Sequence, residues 1–157
     1  VKNNGEIKEK SRQNFKKTLN MQSHRKNLVT IRDELENTAT ACGFTKDDIY
    51  KMKVAVSEAV ANAIEHGSPH GSESHIHLTI ECDGDRIIIE VADEGVFKAR
   101  LPVTNGRPSH RGRGIFLMTA LMDQVSIIEE PEGTVVKLVK LKETNKEREI
   151  EPLGSLL

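Results

Sequence analysis

Neither sign of charge dominates this chain of 157 residues: 23 Lys and Arg stand against 24 Asp and Glu, a formal net charge of -1. It therefore lacks the global basic field that drives unspecific nucleic-acid binding. Also missing is any run near the ~18 uninterrupted apolar residues of a membrane span, and the polar opening VKNNGEIKEKSRQ holds no apolar signal-peptide segment. The expectation is a cytoplasmic protein that binds neither membrane nor nucleic acid directly. Cysteine is scarce. Cys42 ends a helical pattern and Cys82 a strand pattern, far apart and without CxxC spacing, so they read as separate buried thiols. What is present, 36% hydrophobic and 30% charged residues, suffices for a core and a solvated surface and excludes wholesale disorder. The length fits one domain.

Residues 1–12 are charged and aperiodic, and the end from Lys142 is again charge-dense, broken by Pro152 and Gly154. These are expected to be loose tails flanking one domain over 13–141. Phe15 to Leu19 suggests a short edge strand. Leu28, Ile31, Leu35, Ala39 and Cys42 then recur at three- and four-residue steps, one amphipathic helix ended by Gly43. A second helix begins after Thr45, with Asp47 and Asp48 favourably placed at its positive end. Its core face is Ile49, Met52, Val56, Ala59, Val60 and Ala63, and it stops at His66-Gly67. Ile76, Leu78, Ile80 and Cys82 alternate with polar residues, and Asp83-Gly84-Asp85 turns the chain into the strand Arg86 to Ala92, a hairpin. A third helix is expected from Gly114 to Met122, and a second hairpin from Val125 to Ile128 and Thr134 to Leu141. Helices in one layer on a mixed, mostly antiparallel sheet give an α+β two-layer sandwich.

Between Asp93 and Gly114 the pattern dissolves into Gly, Pro, Ser, Asn and Arg, a loop too long for an idle connection. Chemistry gathers around it. Glu58, Asn62 and His66 are spaced i, i+4, i+8 and fall within an arc of about 80° along one helix edge, flanking the core face. Asp93 closes a strand whose run Ile87 to Val91 looks buried, and Gly95 lets a flat ligand approach the backbone. Arg111-Gly112-Arg113-Gly114 precedes the third helix, placing backbone amides and two guanidinium groups at a helix start, where anions bind. His66, His70, His75 and His77 fall within one short stretch, but no Cys or carboxylate triad completes a metal-ligand pattern.

In this order the segments resemble the GHKL ATP-binding fold of type II topoisomerases, heat-shock chaperones, histidine kinases and mismatch-repair ATPases. Glu58-x-x-x-Asn62 looks like its N box, Asp93-x-Gly95 its first glycine box, Gly112-x-Gly114 its second, and Gly133-Thr134 its late Gly-Thr. The blocks Ser57 to Gly67 and Gly112 to Asp123 are most similar to the anti-sigma-factor serine/threonine kinase branch. One departure stands out: the family usually has a second glycine in the first box, whereas here Phe97 either replaces it or follows its deletion.

The resemblance implies ATP and Mg²⁺ as cofactors, with Asn62 holding the metal, Asp93 receiving the adenine amino group and Gly95 lining the adenine pocket. Thr134 would support adenine, and His66 would lie in the same nucleotide site. Gly112, Arg113 and Gly114 would cradle phosphates, with Arg111 or Arg113 reaching the γ-phosphate, and Glu58 would be the general base. The implied partners are a sigma factor and an anti-anti-sigma antagonist, and a homodimer is expected. Alternatives are a histidine-kinase-type or switch-kinase ATPase module, or a nucleotide-gated binding module without catalysis. Leu101 to His110, with two prolines and few apolar anchors, is expected to close over the nucleotide as a short lid.

Overall fold

The computed structural model describes residues 14–95 and 110–142. Most of both expected tails, Phe97 and nearly all of the expected lid lie outside the described residues. Among the described residues, the elements in chain order are strand β1 (Phe15–Gln22), helices α1 (Leu28–Ala41) and α2 (Lys46–His66), strands β2 (His75–Cys82) and β3 (Arg86–Asp93), helix α3 (His110–Leu121), and strands β4 (Gln124–Glu130) and β5 (Gly133–Leu141). The strands form one sheet in the order β1-β2-β3-β5-β4.

Every pairing is antiparallel, which corrects the expected mixed sheet. The reason is topological. The segment through α3 delivers β4 to the outer edge, and β5 turns back to sit between β4 and β3, so β3 and β4, which run the same way, never touch. Along β2 the expected alternation is present: Ile76, Leu78, Ile80 and Cys82 are buried while His75, His77 and Glu81 are exposed. β3 alternates as well. Ile87, Ile89 and Val91 face the core and Ile88 lies half-buried on the other side, where a continuous buried run was expected.

The helices cover the core face. Ile31, Leu35 and Ala39 of α1 are buried, and Gly43 adopts the left-handed φ of +83° that a helix-terminating glycine supplies. In α2 the whole expected core face is buried, with Ala55 added, and α3 packs on this helix. Thr45 caps this helix, its Oγ1 accepting from the Asp48 amide at 3.2 Å. α3 starts four residues earlier than expected, so Arg111 to Gly114 lie in its first turns and do not precede it. Two glycines cost a helix about 1 kcal/mol each relative to alanine, and packing against α2 outweighs that propensity. No helix among the described residues is long and apolar enough to cross a membrane.

Two buried polar features hold the layers together. Lys140 of β5 is 4% exposed; its Nζ donates to the Leu121 carbonyl at 2.8 Å and lies 3.9 Å from both Asp48 and Asp123. One ammonium thus links the start of α2, the end of α3 and the sheet. At the other feature the cysteines, expected in separate surroundings, meet. α1 ends over the last residue of β2, and the Cys42 and Cys82 side chains lie beside each other inside the core. Burial, with Cys82 beside it, pushes the Cys42 thiol from its ordinary 9.0 up to about 12, against the opposing pull of Lys142.

Two outcomes follow from these contacts. Lys140→Met, which strands the buried Asp48 carboxylate, lowers unfolding free energy by about 3–5 kcal/mol in urea titrations; a loss below 1 kcal/mol would show the cluster to be incidental. For Cys42, a folded-state value above the unfolded one means that the contribution of the protonated thiol is complete below pH 9 and is lost as pH rises toward 12. At pH 8 its thiolate fraction is of order 10⁻⁴, so a thiol reagent leaves Cys42 unlabelled in the folded chain and labels it after denaturation. Prompt native labelling would contradict the burial.

Candidate functional site

The site grows from the C-terminal half of α2. Helical spacing alone puts Glu58 and Asn62 on one edge, and both are half-buried in the structure. α3 is laid against this edge at Gly114. A methyl group placed on Gly114 would come within 3.0 Å of Glu58 Oε2 and 3.5 Å of Asn62 Nδ2. Carboxylate and amide are therefore brought to the backbone of Gly114; the spacing predicted their shared helix edge, and the packing of α3 supplies the meeting. Arg113 is exposed beside it. The backbone of Arg111 and Gly112 belongs to the first turn of α3, where amide N–H groups lack intrahelical acceptors and a helix presents its positive end.

A second cluster forms where the end of β3 meets the end of α2 and the start of β5. Asp93 Oδ1 accepts from the Gly95 amide at 2.9 Å and from the Thr134 amide at 3.3 Å. Thr134, 2% exposed, donates its hydroxyl to the Gly95 carbonyl at 3.1 Å. The threonine thus acts as a clamp on Asp93 and Gly95, with its hydroxyl proton directed at the protein backbone. The Glu94 amide closes the turn by donating to the Gly67 carbonyl at 3.2 Å.

Glycines make this cluster possible. A side chain on Gly67 would fall inside the Asp93 carboxyl, one on Gly133 inside the Asp93 backbone carbonyl, and one on Gly95 against Gly67 and the His66 carbonyl. Gly67 is the residue that sequence reasoning passed over as a mere helix stop; its signal was its place directly after the Asn62 and His66 series. His66 itself contributes backbone. Its imidazole is about two-fifths exposed, with Nε2 3.8 Å from Glu65 Oε2. Among the described residues no three His, Cys, Asp or Glu side chains gather into a metal-binding group, the four clustered histidines included. Glu58 and Asn62, a carboxylate and an amide beside Gly114, could supply oxygen ligands to a metal held mainly by phosphate oxygens.

The fold and these boxes define a nucleotide-binding class. The sequence matches the histidine kinase-like ATPase domain family over residues 21–140, and the chain belongs to that family, which implies ATP binding. It is 33% identical over 104 residues to the anti-sigma F factor of Bacillus licheniformis, a span of 61% of this chain and 71% of that protein. It is 34% identical over 122 residues to the serine-protein kinase RsbW of Staphylococcus epidermidis, covering 70% of this chain and 76% of the relative. Among solved structures, the RsbU and RsbW domains of a Mycobacterium tuberculosis protein align with a TM-score of 0.64 at 22% identity, over 81% of this chain and 32% of that one. The histidine kinase domain of a blue-light activated kinase from Erythrobacter litoralis aligns at 0.52 and 16%, over 76% and 61%. These two likenesses confirm the fold.

The close approach at Gly67 yields a direct check. Gly67→Ala forces Asp93 aside, lowering stability by about 1–3 kcal/mol and weakening ATP binding at least about tenfold, a change of 1.4 kcal/mol in binding free energy. Thermal unfolding and calorimetric titration measure both; a variant with wild-type affinity would remove Asp93 from the nucleotide site.

Proposed function

We propose that the protein is an ATP-dependent serine/threonine protein kinase and anti-sigma factor, which binds a sigma factor and phosphorylates an anti-anti-sigma antagonist. The observation that carries this reading is the meeting of Glu58 and Asn62 with Gly114, a carboxylate and an amide four residues apart on one rigid helix, facing the glycine box. The similarity to an anti-sigma F factor and to RsbW serine-protein kinases supports the choice of partners and of acceptor residue.

Each residue has a role in this reading. Asp93, held by the Gly95 and Thr134 amides, receives the adenine amino group, and Gly95 lines the base. Amides at the start of α3, those of Arg111 and Gly112, take the phosphates with help from the positive helix end, and Arg113 reaches them with its guanidinium, while the Gly114 amide is committed to the helix. The Asn62 side-chain oxygen would hold Mg²⁺, which when bound neutralises triphosphate charge. Glu58 accepts the proton of the attacking Ser or Thr hydroxyl. That oxygen then bonds to the γ-phosphorus, the bond to the β-phosphate oxygen breaks, and ADP leaves with its electron pair.

The test incubates the purified chain with Mg-ATP and the anti-anti-sigma-type protein of the same organism. Acid-stable phosphate on a Ser or Thr of that protein is expected. Glu58→Ala retains ATP but loses about 10²–10⁴-fold in transfer rate, and Asn62→Ala weakens Mg²⁺-dependent ATP binding as well. Normal transfer by Glu58→Ala would refute its role as base, acid-labile phosphate on the chain itself would favour a histidine-kinase-type module, and ATP binding without transfer a nucleotide-gated binding module.

A further inference from the structure

Behind Gly67 lies a group of serine hydroxyls to which the nucleotide site gives no direct role. The chain leaves α2 through Gly67 and reaches β2 at His75 by way of residues 68–74. This loop, SPHGSES, has no apolar side chain besides Pro69 to offset its ordering entropy. Polar contacts anchor it instead. Ser23, directly after β1 and 3% exposed, holds both ends: its hydroxyl bonds the Ser68 hydroxyl, and its amide donates to the Ser74 carbonyl at 2.8 Å. Within the loop, Oγ of the buried Ser74 accepts from the His70 amide at 2.9 Å, and the Gly71 amide donates to the Ser68 carbonyl at 3.1 Å.

The direction of the hydroxyl pair follows from its protons. A serine hydroxyl has one proton to give and two lone pairs to offer. Ser68 gives its proton to the Ala63 carbonyl of α2, at 2.8 Å, so Ser23 is the donor to Ser68. The same Ala63 carbonyl accepts the Gly67 amide at 3.0 Å. The end of α2 is thereby closed twice on one carbonyl, by Gly67 and by its neighbour, and Ser23 ties that closure to the sheet.

We infer that Ser68 and Ser23 are positioning residues for recognition of the base, acting through Gly67 on Asp93. This rests on the reading of Asp93 as the acceptor of the adenine amino group, and deepens it by naming what fixes the acceptor in place. Of the two carboxylate oxygens, Oδ1 accepts from the Gly95 and Thr134 amides, and Oδ2 lies over Gly67, where an added methyl would come within 2.2 Å of it. The Gly67 carbonyl also accepts from the Glu94 amide at 3.2 Å. A shift of Gly67 therefore moves both the floor under Oδ2 and the backbone that follows Asp93. A recognition group works when its supporting contacts hold it within about 0.5 Å of the productive geometry, and the chain from Ser23 through Ser68 to Ala63 supplies that support. The start of α3, assigned to the phosphates, packs instead on Glu58 and Asn62. The serines thus bear on the purine amino group and not on the triphosphate.

Calorimetric titration with Mg-ATP and with Mg-purine riboside triphosphate, which lacks the amino group, separates base from phosphates without requiring phosphoryl transfer. The wild type is expected to bind ATP at least about tenfold more tightly than the analogue, the range of a hydrogen bond to a charged acceptor. Ser68→Ala and Ser23→Ala each weaken ATP about fivefold and leave the analogue within about twofold of wild type. Ser68→Thr, which keeps the hydroxyl, retains wild-type affinity for ATP. The double alanine variant loses no more than Ser68→Ala alone, because the Ser23 hydroxyl acts through Ser68. Equal weakening of both ligands in the alanine variants overturns the inference by making the serines structural only, and so does weakening of neither. A wild type that binds ATP and the analogue equally overturns the reading of Asp93, and the role of the serines with it.

Discussion

The contact on which the proposed nucleotide site depends is the passage of Asp93 past Gly67 with no side chain between them. β3 ends where α2 ends, and the carboxyl occupies the volume that any other residue at position 67 would fill. Gly133 grants the same clearance to the Asp93 backbone from the side of β5. Once seated, Asp93 is fixed by amides from two different segments, Gly95 and Thr134. Its position is therefore a property of three elements at once. A carboxylate held in this way is oriented before any ligand arrives, and preorganisation of this kind is what makes a polar recognition group effective.

The second half of the site has a different origin. Glu58 and Asn62 are set by the helix itself, which is rigid and anchored along its whole opposite face: Ile49, Met52, Val56, Ala59, Val60 and Ala63 are all buried. What the rest of the molecule adds is α3, brought close enough at Gly114 for its backbone to meet both side chains. Lys140 bears on that placement from a distance. By donating to the Leu121 carbonyl while facing Asp48 and Asp123, it holds the far end of α3 to α2 and to the sheet. A buried ammonium facing two carboxylates at 3.9 Å is a costly way to join elements, because all three charges are taken out of water.

Periodicity made much of this legible in advance. The alternation of β2, the core face of α2, the edge shared by Glu58 and Asn62 and the end of α1 at Gly43 are local consequences of residue order, because each depends on the geometry of a single element. Other features depend on distances between elements, which residue order does not encode directly. The sheet is wholly antiparallel because β5 returns between β3 and β4; Gly114 meets Glu58 and Asn62 because α3 packs on α2; and Cys42 meets Cys82 because α1 ends over β2. Gly67 belongs with these. In the sequence it is one more glycine after a helix, and only the arrival of Asp93 from another strand shows why no side chain fits there. The sequence by itself thus determined which groups could do chemistry and on which face of which element each lies, whereas the tertiary structure decided which of them meet, since a steric collision is a property of two segments and is written in neither alone.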